Sequence, residues 1–257
     1  MATNNYTLGR GEMHFGQYRP GTQTPRGERY LGNTPELGFS MEQEELPHYN
    51  SDRGVRIKDE SVLLQLDYSG SFITDNISPE NLALFFLGES LIETLTAQTG
   101  ATDTFDDVEL GVSYQLGTSN ALPAGVRQVS NVAITDGTDP LTAGTDYVVD
   151  EELGRVTLLE GATGIAEGGS ITVTYDVGES TRARVISRSM TIEGAMRFIA
   201  HNPAGEQLDY FMPWVKITPN GDFQLKGDEW QALPFTMEIL KKGSLESIYV
   251  DGRPFNP

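Results

Sequence analysis

The stretch SVLLQLDYSGSFITDNISPENLALFFLG, Ser61–Gly88, contains two hydrophobic periods in succession. Up to Thr74, apolar residues alternate with polar ones, which is the period of two that is typical of a β-strand. Ser78 then offers an N-cap, and Pro79 stands at the first helical position. These signals predict a strand followed by a short helix, Ser78–Glu89, with Leu82, Phe85, Phe86 and Leu87 as its apolar stripe. A helix this short is marginal alone, so we expect it to pack on a sheet.

The same alternation recurs along most of the chain and predicts a mainly β fold, a β-sandwich or barrel with one flanking α-helix. The dipeptide Asn220-Gly221 predicts a tight hairpin turn followed by a strand, Asp222–Lys226. Further predicted strands of this unit are Leu37–Leu46, Arg184–Ala200, Tyr210–Thr218 and Trp230–Leu240.

The composition changes in the middle of the chain. Residues 101–182 contain 14 acidic and 3 basic side chains, with no Trp, Lys or His. Within them, DYVVDEELGRVTLLEG (Asp146–Gly161) has the pattern of two strands joined by an acidic turn. We interpret residues 101–182 as an inserted small all-β domain whose two sheets pack as a sandwich. It separates residues 1–100 from residues 183–257, which form one interrupted core.

The chain is strongly acidic, with 37 Asp and Glu against 18 Lys and Arg, a formal charge of -19 and no Cys. Nucleic-acid binding by phosphate neutralisation needs clustered Lys and Arg, so this class of protein is excluded. Such a chain can instead line a passage along which a polyanion slides without binding. No run of about 18 apolar residues and no apolar N-terminal segment predicts a membrane span or a signal peptide.

No catalytic motif accompanies this acidity, and we expect neither an enzyme nor a cofactor. His14, His48 and His201 stand in unrelated segments, with no HExxH and no Gly-x-Ser-x-Gly pattern around them. Asp136 and Asp139, with Asp146, could approach Ca²⁺, but the EF-hand spacing is missing and Asp is common in turns. No metal site is therefore predicted.

Carboxylates do recur on the polar sides of the predicted strands. They are Glu42, Glu44, Asp67, Glu193 and Glu238. Two interpretations stay open at this point: a solvated sheet face, or a surface that lines the bore of a ring.

Two further segments stand out. His48–Glu60 is strongly charged and too long for a tight turn, so it predicts a projecting hairpin loop. The segment to about residue 35 is rich in Gly and Arg and has little apolar surface. It is either a frayed terminus or an arm that another molecule orders.

Three stretches resemble the major tail tube protein of long-tailed bacteriophages. They are LGNTPELGFSMEQEELPHYNSDRGVRIKDE from Leu31, SGSFITDNISPENLALFFLG from Ser69 and GEQLDYFMPWVKITPNGDFQLKGDEWQALPFTMEIL from Gly205. The order of arm, strand, charged loop, strand, capped helix and C-terminal hairpin adds to the resemblance. The middle segment resembles small Ig-like β modules of phage tail proteins.

The resemblance implies a structural virion protein, made in the host cytoplasm, that forms rings of six stacked into a hollow tail tube. Viral DNA would pass through the tube into the host without specific binding. Other tail proteins would bind the tube ends, and a tape-measure protein would lie in the lumen. An alternative is an adhesin-like β-sandwich module on a phage tail that recognises glycan or Ca²⁺. A β-rich hydrolase is a third, weaker possibility.

The resemblance also implies residue roles. Glu42, Glu44, Asp67 and Glu193 would face the lumen. The ring-stacking loop would contain His48, Asp52, Arg53, Arg56, Lys58, Asp59 and Glu60. Residues 1–30 would be the inter-ring arm, with Arg10, Arg19 and Arg26.

Overall fold

A computed structural model describes residues 5–52 and 54–254. The chain divides into two compact units, the first formed by Met1–Leu91 with Arg184–Pro257 and the second by Ile92–Ala183. In the described residues the elements are, in chain order, β1 (Gly11–Gln17), β2 (Arg29–Tyr30), β3 (Glu36–Asn50), β4 (Ile57–Thr74), α1 (Pro79–Phe85), β5 (Glu89–Leu95), β6 (Gln98–Phe105), β7 (Ser113–Gln115), β8 (Val129–Asp136), β9 (Asp139–Pro140), β10 (Tyr147–Asp150), β11 (Arg155–Leu158), β12 (Ile171–Val177), β13 (Ser180–Ile186), β14 (Ile192–Ala200), β15 (Leu208–Pro219), β16 (Leu233–Ile239) and β17 (Tyr249–Gly252).

The first unit is one antiparallel sheet in the order β2-β1-β14-β15-β16-β4-β3, with β17 also pairing with β15. One face of this sheet is apolar and buried. Phe72 and Phe235 stack there with ring centroids 4.9 Å apart, and Ile217 and Met237 are 1% exposed. Burial of this alternate set of residues supplies the main stabilisation of the unit. The prediction of a mainly β fold with one helix is confirmed.

Helix α1 covers the buried face of the sheet. Ser78 is its N-cap, as predicted, and the Ser78 hydroxyl oxygen accepts a hydrogen bond from the Asn81 N–H at 3.2 Å. The helix ends at Phe85, earlier than predicted, because Leu87 takes a φ of 49° and the Gly88 N–H turns back to the Ala83 carbonyl. No helix in the described residues is long and apolar enough to cross a membrane.

The predicted apolar stripe of this helix was partly wrong. The buried positions are Asn81, Ala83 and Leu84, whereas Phe86 is exposed. The Asn81 side chain rotates the helix toward β2 because its amide nitrogen donates to the carbonyls of Leu31 at 2.7 Å and Asn76 at 2.8 Å. Two turns of helix offer too few apolar residues to outweigh this polar anchor.

Two strand predictions and one turn prediction in the first unit need correction. Arg184–Ala200 is two strands, β13 and β14, separated by residues 187–191. Asp222–Lys226 is not a strand, and β15 pairs instead with β16 across a long loop, residues 220–232. The turn signal at Asn220 fails because Phe223 packs against Phe85, with ring centroids 5.8 Å apart, and draws the chain out of the ladder.

The N-terminal segment belongs to the sheet. Strand β1 pairs with β14 along its whole length, from Gly11 opposite Ala200 to Gln17 opposite Gly194. Met13 is fully buried in the core of the unit. The expected free arm is therefore not found over residues 11–17, because two apolar side chains and a full ladder are enough to hold the strand.

The second unit contains two sheets, β10-β11-β7 and β6-β12-β8-β9, around one apolar core. Val156 from one sheet and Val173 from the other are fully buried in it. The sequence predicts that the second unit begins at residue 101, but it begins at Ile92. The reason is that β6, which starts at Gln98, pairs with β12 of this unit. The sequence of β6, QTGATDTF, contains too few apolar residues to signal a strand.

Asp146 holds a loop of the second unit together. Its carboxylate is 4% exposed and accepts three backbone hydrogen bonds, from Thr142 at 2.8 Å and from Thr163 and Gly164 at 2.9 Å each. These N–H donors favour the ionised form and lower the pKa of Asp146, with the Thr142 bond as the largest cause. The Asp146 carboxylate therefore binds backbone N–H groups, and its oxygens are not directed at a cation.

Replacing Asn81 by Asp tests the helix anchor. The change sets a carboxylate oxygen against two carbonyl oxygens in a buried site, so we expect the free energy of unfolding of the first unit to fall by about 3 kcal/mol. Both Trp residues lie in this unit, so urea unfolding followed by Trp fluorescence reports on it alone. The same substitution at exposed Asn50 is the control, and equal stability of the two variants would contradict the anchor role.

Replacing Asp146 by Asn tests the loop anchor of the second unit. The amide NH₂ would face a backbone N–H, so we expect the melting temperature to fall by several degrees at pH 7. A carboxylate with a lowered pKa stabilises the fold above its unfolded pKa, and this contribution is lost as pH falls through the folded pKa. The difference in melting temperature between variant and wild type, measured by calorimetry, should therefore become smaller below about pH 4. A melting-temperature difference that does not change with pH would contradict a stabilising role of the ionised Asp146 carboxylate.

Candidate assembly surface

Strands β3 and β4 form a hairpin that runs past the rest of its sheet. Their ladder extends from Glu36 opposite Ile73 to Asn50 opposite Ile57. Strand β16 covers β4 only from Tyr68 to Thr74. Beyond that point β3 is the only strand of the described residues that pairs with β4, and residues 38–50 and 57–67 are exposed along the hairpin. Its outer part is thus held in the first unit by its own ladder alone.

Large apolar side chains lie along this exposed hairpin. On an ordinary monomer surface such residues are scattered singly, and a contiguous exposed set marks an interaction site. They are Phe39, Met41, Leu46, Tyr49, Val55, Ile57, Val62, Leu63, Leu64 and Leu66. The SVLLQL stretch carries a sequence signal for this, since Leu63 breaks the alternation and makes both sides of the strand apolar.

The hairpin also ends the sheet. Strand β3 is the last in the order, with β4 on one side and no partner strand within the described chain on the other. Its outer N–H and C=O groups can therefore pair with another chain. Register shifts follow Glu44 and His48 and interrupt the distal half, whereas Glu36–Glu44 keeps an unbroken register.

The predicted lumen residues share one face of this sheet. Glu42 lies directly opposite Asp67, and Glu44 is on the same face two residues along β3. Like charges directly opposite each other disfavour a sheet by about 0.2–1 kcal/mol, so this pair has a cost in the monomer. The Gln65 side-chain amide donates to Asp67 at 2.5 Å and satisfies part of that carboxylate.

The same face continues across the neighbouring strands. A row of directly opposite residues runs through five strands: Ser40, Ser69, Glu238, Lys216 and Glu193. We call the side that carries this row and Glu42, Glu44 and Asp67 the carboxylate face. Helix α1 and the buried core lie on the opposite side. Glu193, at the β14 end of the row, also lines a groove that reaches residues of helix α1. The alternation of side chains in the sequence did not indicate which side of the sheet the core and the helix would leave uncovered.

Lys216 is the residue of this face that sequence reasoning did not include. Its Nζ lies 3.4 Å from a carboxylate oxygen of Glu238. An exposed pair of this kind contributes little to stability. Among the described residues Glu42, Glu44 and Asp67 make no ion pair, because Lys58 of β4 lies beside Glu45 and Lys241 lies beside Glu246. The strand β3 end of the face is therefore its most negative part.

The predicted stacking loop is shorter than expected. His48 and Lys58–Glu60 are in strands, and the connection spans only residues 51–56. His48 Nδ1 lies 2.6 Å from an Asp59 carboxylate oxygen, and Arg56 lies over the Tyr49 ring at 5.0 Å. Arg53 lies outside the described residues. A stacking role for this tip, including Asp52, stays a prediction.

The three arginines of the predicted arm lie at different places. Arg10 is tied to the sheet end, since its backbone N–H donates to the Asn202 side chain at 2.9 Å. Arg19 and Arg26 lie in the connection between β1 and β2, where the Arg26 N–H donates to the Gln17 carbonyl. An inter-ring role for them stays a prediction.

Two of the three histidines meet at Glu12, whereas His48 lies beside Asp59 in the hairpin. His14 lies 3.2 Å from Glu12, and His201 lies 3.9 Å from another oxygen of that same side chain. Asp136 and Asp139 face each other across the β8–β9 hairpin, and Asp146 is bound to backbone. Within residues 5–52 and 54–254 no group of three His, Asp or Glu side chains could hold a metal ion.

Comparison with known proteins gives one family. No curated protein matches the chain. A family model described as "Protein of unknown function UCP028589" matches residues 6–247, which includes the whole second unit, the whole hairpin and most of the first unit. The chain therefore belongs to this family of unknown function.

Proposed function

We propose that this protein is a structural virion component that self-assembles into stacked rings, six subunits each as the resemblance implies, and forms a hollow tail tube for DNA. The observation that carries the proposal is the β3–β4 hairpin, which is unpaired at its outer edge and exposes apolar side chains. Water is a poor environment for such a surface, and another copy of the chain supplies both backbone partners and apolar contacts.

Edge pairing explains why rings would form. The outer edge of β3 differs from the opposite end of the sheet, where β2 has only Arg29–Tyr30. A contact between two different surfaces is heterologous, and repeated rotation by a fixed angle closes such contacts into a ring. The ring removes the exposed edge of every subunit.

The carboxylate face suits the inside of such a ring. It lies opposite the helix, so it is free in the monomer, and its strand β3 end carries three carboxylates. Phosphates are repelled by this charge within about one Debye length, roughly 8–10 Å at physiological salt. DNA could therefore move along the bore without binding to its wall.

Polar substitution on the hairpin tests the assembly surface. Burying a Leu side chain is worth about 1.5 kcal/mol or more, so Leu64→Gln with Leu66→Gln should raise the concentration needed for assembly about 100-fold. Negative-stain microscopy and sedimentation measure this. Val148→Gln with Leu153→Gln, at exposed positions of the second unit, is the matched control. A wild-type protein that stays monomeric at high concentration, even with nucleating tail components, would refute the proposed function.

Charge reversal tests the carboxylate face. Wild-type tubes should not retain DNA, whereas tubes of Glu44→Lys with Asp67→Lys should retain it at low salt because lysines attract phosphate. Gel retardation of labelled DNA measures this. Glu151→Lys with Glu152→Lys, which makes the same charge change in an exposed turn, is the control. Equal DNA retention by tubes of both variants would show that Glu44 and Asp67 do not line the bore.

A further inference from the structure

The loop between β15 and β16 presents a nearly free tryptophan. Trp230 is 96% exposed and Leu225 is 75% exposed, the largest values of any Trp or Leu in the described chain. The base of the loop is nevertheless fixed, because Phe223 packs on Phe85. Trp is among the residues that dominate the energy of protein interfaces. A loop that is fixed at its base and exposes an indole is therefore suited to bind another protein surface.

The two acidic residues before the indole give the loop its charge. Asp228 and Glu229 are exposed and directly precede Trp230. In the described residues neither side chain has a hydrogen bond or an ion pair. We call residues 222–232 the Trp230 loop. Its partner should offer an apolar recess bordered by cations.

A groove elsewhere in the first unit has that character. Its volume is about 1010 Å³. This is at the upper end of ordinary ligand pockets, about 300–1,000 Å³. Ala83, Leu84, Leu91 and Met190 give it an apolar lining. The groove shares no lining residue with the Trp230 loop.

Arginines border this groove. Arg19, Arg26 and Arg29 line it, and none of them makes a side-chain hydrogen bond or ion pair among the described residues. Arg29 is half-buried, and burial lowers its pKa while the Glu80 carboxylate acts in the opposite direction. A guanidinium in this position gains from a carboxylate or an aromatic ring supplied from outside.

The acidic residues of the groove do not cancel these cations. Glu28 is held by Arg197 at 2.9 Å, and Glu89 is held by Arg188. Glu80 and Glu193 remain against the three arginines. With Glu28 and Glu89 already paired, three arginines stand against two glutamates, which leaves the groove a small positive excess on a chain of net charge -19.

We infer that the Trp230 loop of one copy docks in this groove of a neighbouring copy, with the indole on the apolar lining and Asp228 and Glu229 against the arginines. Because loop and groove are different surfaces of one chain, the contact is head-to-tail and can repeat. The inference rests on the proposed self-assembly and names a second contact, separate from the β3–β4 hairpin.

Fluorescence of the full chain tests the docking. The chain has two Trp residues, so Trp214→Phe leaves Trp230 as its single indole. As the protein assembles with rising concentration, we expect the emission of Trp230 to shift to the blue and its quenching by acrylamide to fall several-fold. Rings or tubes in which Trp230 stays fully quenchable would overturn the docking and leave the proposed function standing. Absence of any association would overturn both.

Variants on exposed side chains add a second test. Trp230→Ser should weaken association about 30-fold or more, the loss typical of an interface anchor, while Leu245→Ser should not. Glu229→Arg and Arg26→Glu should each weaken association, and both changes on one chain should restore it. Unchanged association in Trp230→Ser, or no restoration in the double variant, would overturn the docking.

Discussion

The backbone ladder between β3 and β4 is the interaction on which the rest depends. At its inner end it places Phe72 in the core, and at its outer end it holds a hairpin that is exposed among the described residues. A two-stranded hairpin is marginally stable alone in water. Here its inner third is fixed by β16 and the buried face, so the outer part is presented in a defined register.

Much of the fold followed from the sequence because the period of two in strands such as β4, β12 and β16 is strong. The helix start followed from Ser78 and Pro79, whose capping chemistry is local. The end of the helix and its buried face could not be predicted from the sequence. The Asn81 side chain donates to the carbonyl of Leu31, a residue distant in the chain that no local pattern reveals. The break between β13 and β14 was missed because the backbone N–H groups of Arg188 and Met190 donate to the distant carbonyls of Phe86 and Leu87.

The candidate site was predictable in part. Alternation placed Glu42 and Asp67 on polar sides of their strands, but only the register brings them opposite each other. The sequence could not indicate that Leu64 and Leu66 would lie outside the core, since the same pattern describes a buried strand. Trp230 was predicted to begin the strand Trp230–Leu240, and the departure of Phe223 from the ladder exposed it instead.

The way in which the second unit is connected has a wider consequence. The chain leaves the first unit along β5 and returns along β13, and these two strands pair with each other. Entry and exit are therefore adjacent in space, which is the arrangement in which a cassette can be exchanged or deleted without stretching its host. Relatives that differ in length should differ most between these two strands, while the large sheet of the first unit stays unchanged.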